Sequence, residues 1–345
     1  MGTAVGAAVG GRGVGGGSTA PTRAVPAENA AAASPSLLPR NPVMTFGQST
    51  RLEAPAACIT LSAPMRVFDA HVHVQPWEQM RPDVRALMAA GRPDLPEIQA
   101  ALADPKQLLA LLDREGVERA ALINYVAPEV MGFDASANDW ISRYVRGHED
   151  RLYAVGSVHP RHTADSGAET RRLFEALGIR MLKIHPPHQL FAANAYRDEL
   201  PGLAQVYAEA EKAGRPVMIH TGTSIFPGAR NRFADPMAAD DVAVDFPKLK
   251  IVLAHAGRPL YMETAVFLAR RHRHLSLDLS GIPPKKLLDY LPRLEDLADK
   301  CLWGTDYPSP GVASISKNVA DFRALPLSDA AKARILRDNA AALFG

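Results

Sequence analysis

Cysteine is scarce in this chain: only Cys58 and Cys301 occur among its 345 residues. Cys58 sits in an atypical N-terminal stretch, so no disulfide framework is expected and a reducing cytoplasm is the default compartment. No run of 18 or more apolar residues is present, so no segment is expected to span a bilayer. Charge of one sign never accumulates either. Lys and Arg number 39 against 37 Asp and Glu, a formal net charge of +2, with no basic stripe. Nucleic acid and anionic membrane surfaces are therefore not expected partners.

The first 36 residues almost lack large apolar side chains and are built from Gly, Ala, Ser, Thr and Pro. Such a composition cannot bury enough surface to offset the entropy of ordering. A secretory signal needs an apolar core, and Gly interrupts the one candidate stretch. A transit peptide is supported by Arg12 and Arg23 preceding any Lys, but Arg is sparse and Glu28 intervenes. The expectation is a disordered Gly/Ala/Pro-rich leader over 1–64 and one folded domain over 65–345. Met65 falls just before the first clear strand, so an alternative is that the native chain begins there. Intact mass decides between them.

What remains is ordinary globular material, 47% hydrophobic and 22% charged over the whole chain. From Arg66 onward, short β-branched or apolar runs alternate with longer helical stretches. Strands are predicted at 66–72, 118–124, 152–158, 179–184, 216–220, 250–255, 275–279 and 300–304. Helices are predicted at 104–115, 135–147, 166–177, 201–213, 236–245, 260–271, 285–295 and 314–323, with a closing helix at 328–344. Runs such as Pro-Val-Met-Ile-His and Ile-Val-Leu-Ala-His are apolar almost throughout, as in a parallel sheet covered on both faces. Asp104-Pro105 reads as a helix cap with proline in the first turn, and Ser328 as another cap. Gly116, Gly178 and Gly214 each close a helix. No Gly-x-Gly-x-x-Gly follows the first strand, which disfavours a dinucleotide-binding sheet. Eight strand–helix units fit an α/β fold of the (β/α)8 TIM-barrel type.

Chemistry-bearing residues gather at the strand ends. The first strand ends Asp69-Ala70-His71-Val72-His73, and alternation with period two puts both histidines on one face. Two imidazoles at that spacing suit one Zn²⁺-sized cation. His220 ends the fifth strand, His255 the sixth, and Asp306 follows the eighth. For any one of these a satisfied core histidine or a turn carboxylate is the ordinary explanation. All five at the C-terminal ends of apolar strands point instead to a site at the barrel rim, where such enzymes work.

This constellation resembles the amidohydrolase superfamily. The longer stretches Ala254-His255-Ala256-Gly257-Arg258-Pro259 and Gly304-Thr305-Asp306-Tyr307-Pro308 resemble its amidohydrolase-related branch of decarboxylases and lactonases. The resemblance covers residues 66–345. It implies that His71, His73, His220 and Asp306 ligate one divalent metal, with Zn²⁺ expected and Mn²⁺, Fe²⁺ or Co²⁺ open. It leaves His255 beside the site. In these roles Asp306 serves as general base and then acid, while His255 polarises a carbonyl or holds an oxyanion.

Other residues carry weaker expectations. Asp69 is a candidate partner for a ligand imidazole, or a structural carboxylate. Lys183 and His185 share a face at the end of the fourth strand and are assigned to an anionic substrate. The resemblance also allows a carboxylated Lys183 bridging two metals. Arg258 either forks onto a substrate carboxylate or caps a loop carbonyl. Trp77 either walls the pocket or covers the barrel mouth. His272 and His274 read as surface residues, while His159 and His188 stay undecided. The leading reaction is hydrolysis of a small amide, ester or lactone through activated water. The alternative is metal-dependent, non-oxidative decarboxylation of an unsaturated or aromatic acid. A non-catalytic binding barrel is the third reading, and homo-oligomerisation is left open.

Overall fold

The computed structural model describes residues 65–345; the leader expected over 1–64, with Cys58, lies outside the described residues. Eight strands run β1 (Val67–His73), β2 (Val117–Ile123), β3 (Leu152–Gly156), β4 (Met181–Ile184), β5 (Val217–His220), β6 (Ile251–Ala254), β7 (Leu275–Asp278) and β8 (Cys301–Leu302). They pair in chain order, each parallel to the next. The last gap is spanned by the chain just after β8. Ala70 N–H donates to the Trp303 carbonyl at 2.9 Å, Asp306 N–H to His71 at 2.8 Å, and His73 N–H to Tyr307 at 2.7 Å. That closure sets Asp306 against the two histidines of β1.

Period-two alternation sorts the strand side chains into two apolar groups. Val217, Ile219, Ile251, Leu253, Leu275 and Leu277 face the helices, while Phe68, Met181, Met218, Val252 and Leu302 fill the barrel. Each fully buried large side chain contributes about 1.5–3 kcal/mol. The surrounding helices present matching stripes. In Pro105–Arg114, Leu108, Leu111 and Leu112 are buried at helical spacing. Asp104 caps that helix by accepting from Lys106 N–H at 2.9 Å, and Ser328 accepts from Ala331 N–H at 3.1 Å. Gly116, Gly178 and Gly214 all adopt positive φ.

The predicted barrel is borne out, with corrections at some elements. The 74–103 connection, where no helix was predicted, holds helices Pro82–Ala89 and Leu95–Ala103, each with proline in its first turn. The helix predicted at 285–295 shrinks to Leu287–Tyr290 between 3-10 turns, because Pro283, Pro284 and Pro292 bound it. The eighth strand keeps only two of its five predicted residues. Cys301 is buried and free. Among the described residues, no helix is long and apolar enough to cross a membrane.

Candidate active site

The C-terminal rim of the barrel collects the predicted residues. His71 Nε2 lies 3.3 Å from His73 Nε2. Asp306 Oδ1 is 3.5 Å from the former and 3.1 Å from the latter. Two imidazole nitrogens that close form no strong bond with each other, and they share a carboxylate oxygen. For metal–ligand bonds of about 2.1 Å, neighbouring ligand atoms lie about 3.0–3.4 Å apart, from octahedral to tetrahedral geometry. The triangle's sides match those of a divalent ion's ligands to within about 0.1 Å. His255 also belongs to the cluster: its ring nitrogen, one from His71 and an Asp306 oxygen all lie within 4.8 Å of one another.

His220 is brought to the cavity wall, but its Nε2 donates to the Gly222 carbonyl at 3.2 Å. Its ring is 4.7 Å from that of His255 and stacks on His185 at 3.8 Å. His185 is in turn stacked on His188 at 3.6 Å, making a column of three imidazoles along one wall. His188 Nδ1 pairs with Tyr125 Oη at 3.0 Å and its Nε2 with Ser224 Oγ at 2.7 Å. His185 Nδ1 is buried without a partner.

The loop after β7 fixes two of the rings. His71 Nδ1–H donates to Asp278 Oδ2 at 2.6 Å, and His255 Nδ1–H to the Ser280 carbonyl at 3.0 Å. Ser280 Oγ donates to Asp278 at 2.5 Å. With both Nδ1 atoms protonated, each Nε2 presents a lone pair. Burial pushes His71, His185, His188, His220 and His255 well below the usual imidazole range, helped by nearby positive charge. Burial alone would raise Asp306; the His73 hydrogen bond and the charges of His71, His73 and Arg258 outweigh it and hold the carboxyl low.

Two of these residues sit in costly backbone conformations. His255 has φ 62° and Asp306 φ 67°. Left-handed non-glycine residues cost on the order of 1–3 kcal/mol and persist where the surroundings enforce them. Here the strand-to-loop reversal aims both side chains into the barrel mouth.

Among the described residues, Arg258 makes no hydrogen bond to a loop carbonyl. Its Nη2 lies 3.6 Å from Asp306 Oδ2, and its side chain lines the cavity. Gly281, at φ +65°, lies against the guanidinium: a Cβ there would stand 2.5 Å from Nη2. Lys183 is wholly buried, and its Nζ donates to Met218 Sδ at 3.5 Å. Burial lowers its ammonium to about 8, against the attraction of Asp278 and Asp306. The cavity holds about 350 Å³. Its lining mixes the apolar side chains of Met80, Met88, Met131, Phe226 and Ile282 with Tyr125, His185, His188 and Arg258.

Several expectations fall elsewhere. Asp69 accepts from Thr305 Oγ1 at 2.6 Å and from the Thr305 and His71 backbone N–H groups. A register shift between Asp69 and Val72 breaks the assumed alternation, so Asp69 braces the β1–β8 seam and Asp278 is the carboxylate on the His71 ring. Asp278 and Ser280 were missed; their signal was a carboxylate ending the apolar run Leu-Ser-Leu-Asp. Trp77 packs against the core, away from the cavity lining. His272 pairs with Asp240 at 2.6 Å and lies with His274 just before β7, at the opposite end of the barrel. His159 meets Glu129 and His162 instead of the central cavity.

No curated protein sequence matches the chain. Among solved structures, 5-carboxyvanillate decarboxylase from Sphingomonas paucimobilis is similar at 20% identity and a TM-score of 0.59, over 81% of this chain and 99% of that one. A variant of the 5-carboxyvanillate decarboxylase from Novosphingobium aromaticivorans DSM 12444, with bound manganese and a nitrobenzoic acid, is similar at 16% and 0.60, over 81% and 97%. A probable 2-pyrone-4,6-dicarboxylic acid hydrolase from Acinetobacter baumannii, with citric acid bound, is similar at 16% and 0.56, over 81% and 99%. At such identities the likeness shows a shared fold. The amidohydrolase family model matches residues 68–345, and the chain belongs to that family.

Proposed function

We propose that this chain is a metal-dependent hydrolase that opens a small ester, lactone or amide carrying a carboxylate, with His255 as the general base. The tautomer of His255 carries this reading. Its Nδ1–H is committed to the Ser280 carbonyl, which leaves the lone pair on Nε2 of a ring that clusters with His71 and Asp306. That atom can take a proton from attacking water and return it to the leaving oxygen or nitrogen.

His71, His73 and Asp306 are assigned to the metal, with His220 as a fourth ligand at the expense of its contact with Gly222. When bound, a divalent ion acidifies water from a pKa of 15.7 to about 7 and polarises a substrate carbonyl. With Asp306 assigned to the metal, the base role anticipated for it is given to His255, whose imidazole burial also holds below its usual range. Arg258 receives the substrate carboxylate by its guanidinium fork. The His185–His188 wall and Tyr125 line the other side, and Lys183 supplies positive field from beneath.

Decarboxylation of an aromatic acid is the second reading. It is favoured by the apolar side chains that line the same cavity as Arg258, which suit a planar ring with one carboxylate, and by the decarboxylases of similar fold. One experiment separates the two. Metal-loaded protein is offered carboxylated lactones, esters, amides and aromatic acids in ¹⁸O-water. The hydrolase reading expects a new acid carrying the label. Release of CO2 with no label in the product would replace it by the lyase.

A further inference from the structure

A second group of ligand-type side chains lies outside the central cavity. Glu129 follows β2, and His159 and His162 flank a single 3-10 turn after β3. His162 Nε2 is 2.6 Å from Glu129 Oε1, and His159 Nε2 is 3.8 Å from Glu129 Oε2. The two rings are 4.4 Å apart, and one donor atom from each of the three residues lies within 4.8 Å of the others. None of the three lines the central cavity.

His159 is what distinguishes this group from a surface ion pair. It is 1% exposed, and among the described residues neither of its ring nitrogens has a hydrogen-bond partner. A buried imidazole normally satisfies at least one nitrogen. Phe191 packs edge-on against its ring and gives it no polar partner. The neighbouring Arg161 is engaged by Glu199 and by the carbonyls of Gln189 and Leu190. His162 and Glu129 stand half-exposed at the mouth, open to water.

We propose that Glu129, His159 and His162 bind a second divalent cation of the zinc class, separate from the ion of the barrel centre. Two imidazoles and one carboxylate form a donor set that borderline ions favour, with the remaining coordination left to water. Ligand contacts of about 3.0–3.4 Å require the 2.6 Å pair to open and the 3.8 Å pair to close by a few tenths of an ångström. The half-exposed His162 and Glu129 side chains can make that adjustment. The ion then provides the missing partner for His159.

Zn²⁺ is the probe. Chelator-stripped full-length protein is titrated calorimetrically, and bound zinc is counted after desalting, for wild type, Glu129→Gln, His162→Ala and His71→Ala. The first two changes are at half-exposed positions, and circular dichroism checks their fold. Each is expected to bind one zinc fewer than wild type, or to bind it at least ten-fold more weakly, while the zinc lost in His71→Ala remains. Co²⁺ substitution is expected to show the matching loss of one set of visible absorption bands. Equal zinc content and affinity in wild type and in both Glu129→Gln and His162→Ala would overturn the site. So would a wild type whose entire zinc content disappears in His71→Ala.

Discussion

Asp278 holds the imidazole of His71 through a 2.6 Å hydrogen bond made entirely in the barrel interior, both side chains being fully buried. The bond orients the ring and fixes its proton on Nδ1, so that Nε2 is free to meet a cation. A carboxylate in that position also raises the basicity of the ligand nitrogen. Asp278→Asn keeps the shape but gives up the charge and one of the oxygens that serve His71 and Ser280. The expected result is about 10–100-fold weaker binding of Zn²⁺ or Mn²⁺, with the fold retained. Metal titration of the stripped protein checks it, and unchanged affinity would remove Asp278 from the metal's support.

His255 sits close enough to His71 and Asp306 to serve either as a ligand or as a base. The two roles separate in one variant. If it is the base, His255→Asn keeps a full complement of metal and lowers kcat by about 10²–10⁴-fold. If it is a ligand, metal content falls together with activity. Metal analysis on the same sample used for kinetics distinguishes them. By contrast, His71→Ala and Asp306→Asn are expected to lose both the central metal and turnover while the barrel remains folded, since neither empties the apolar interior.

The barrel was legible because most strands are largely apolar runs, and the site because its residues lie at or just past the ends of strands. His71, His73, His220, His255 and Asp306 interrupt segments where aliphatic side chains belong, and no packing need explains them. What escaped has identifiable causes. Asp69 takes the structural one of its two expected roles because the β1 register shifts after it, which no alternation rule foresees. Asp278 was passed over because an Asp before Leu-Ser-Gly also reads as a turn. Pro82 and Pro96 were taken as loop residues although each opens a helix. The orientation of His220 towards Gly222 depends on side-chain rotation, about which strand position is silent.

Gly281 gives Arg258 its place at the cavity wall, since any Cβ there would stand 2.5–2.7 Å from the guanidinium nitrogens Nη2 and Nε. Gly281→Ala therefore displaces the flexible end of Arg258, and the positive φ adds a backbone cost of about 1–2 kcal/mol. If the guanidinium anchors the substrate carboxylate, KM rises about ten-fold, the equivalent of about 1.4 kcal/mol. Arg258→Lys is expected to reproduce the effect, because an ammonium lacks the planar fork. Steady-state kinetics on both variants provides the check. A KM unchanged in both would move the substrate's anchor elsewhere.

Among the described residues, Lys183 places an ammonium in the barrel with only a thioether within hydrogen-bond distance. Burial depresses its folded-state pKa to about 8, below the unfolded value of about 10.4. Between those two values the unfolded chain binds more protons, so this group makes stability rise with pH across that window. Below about pH 8 its destabilisation is present in full. Lys183→Met fills a similar volume without the charge. In metal-free protein it is expected to raise stability at pH 7 by about 1–3 kcal/mol and to flatten the rise between pH 8 and pH 10. Urea unfolding of both proteins at several pH values measures the two effects together. A less stable Lys183→Met at pH 7 would mean that Asp278 and Asp306 already compensate the ammonium, so that its cost lies outside the folded apo state. A more stable but less active variant would establish a positive charge kept at the barrel centre for function against its cost in stability.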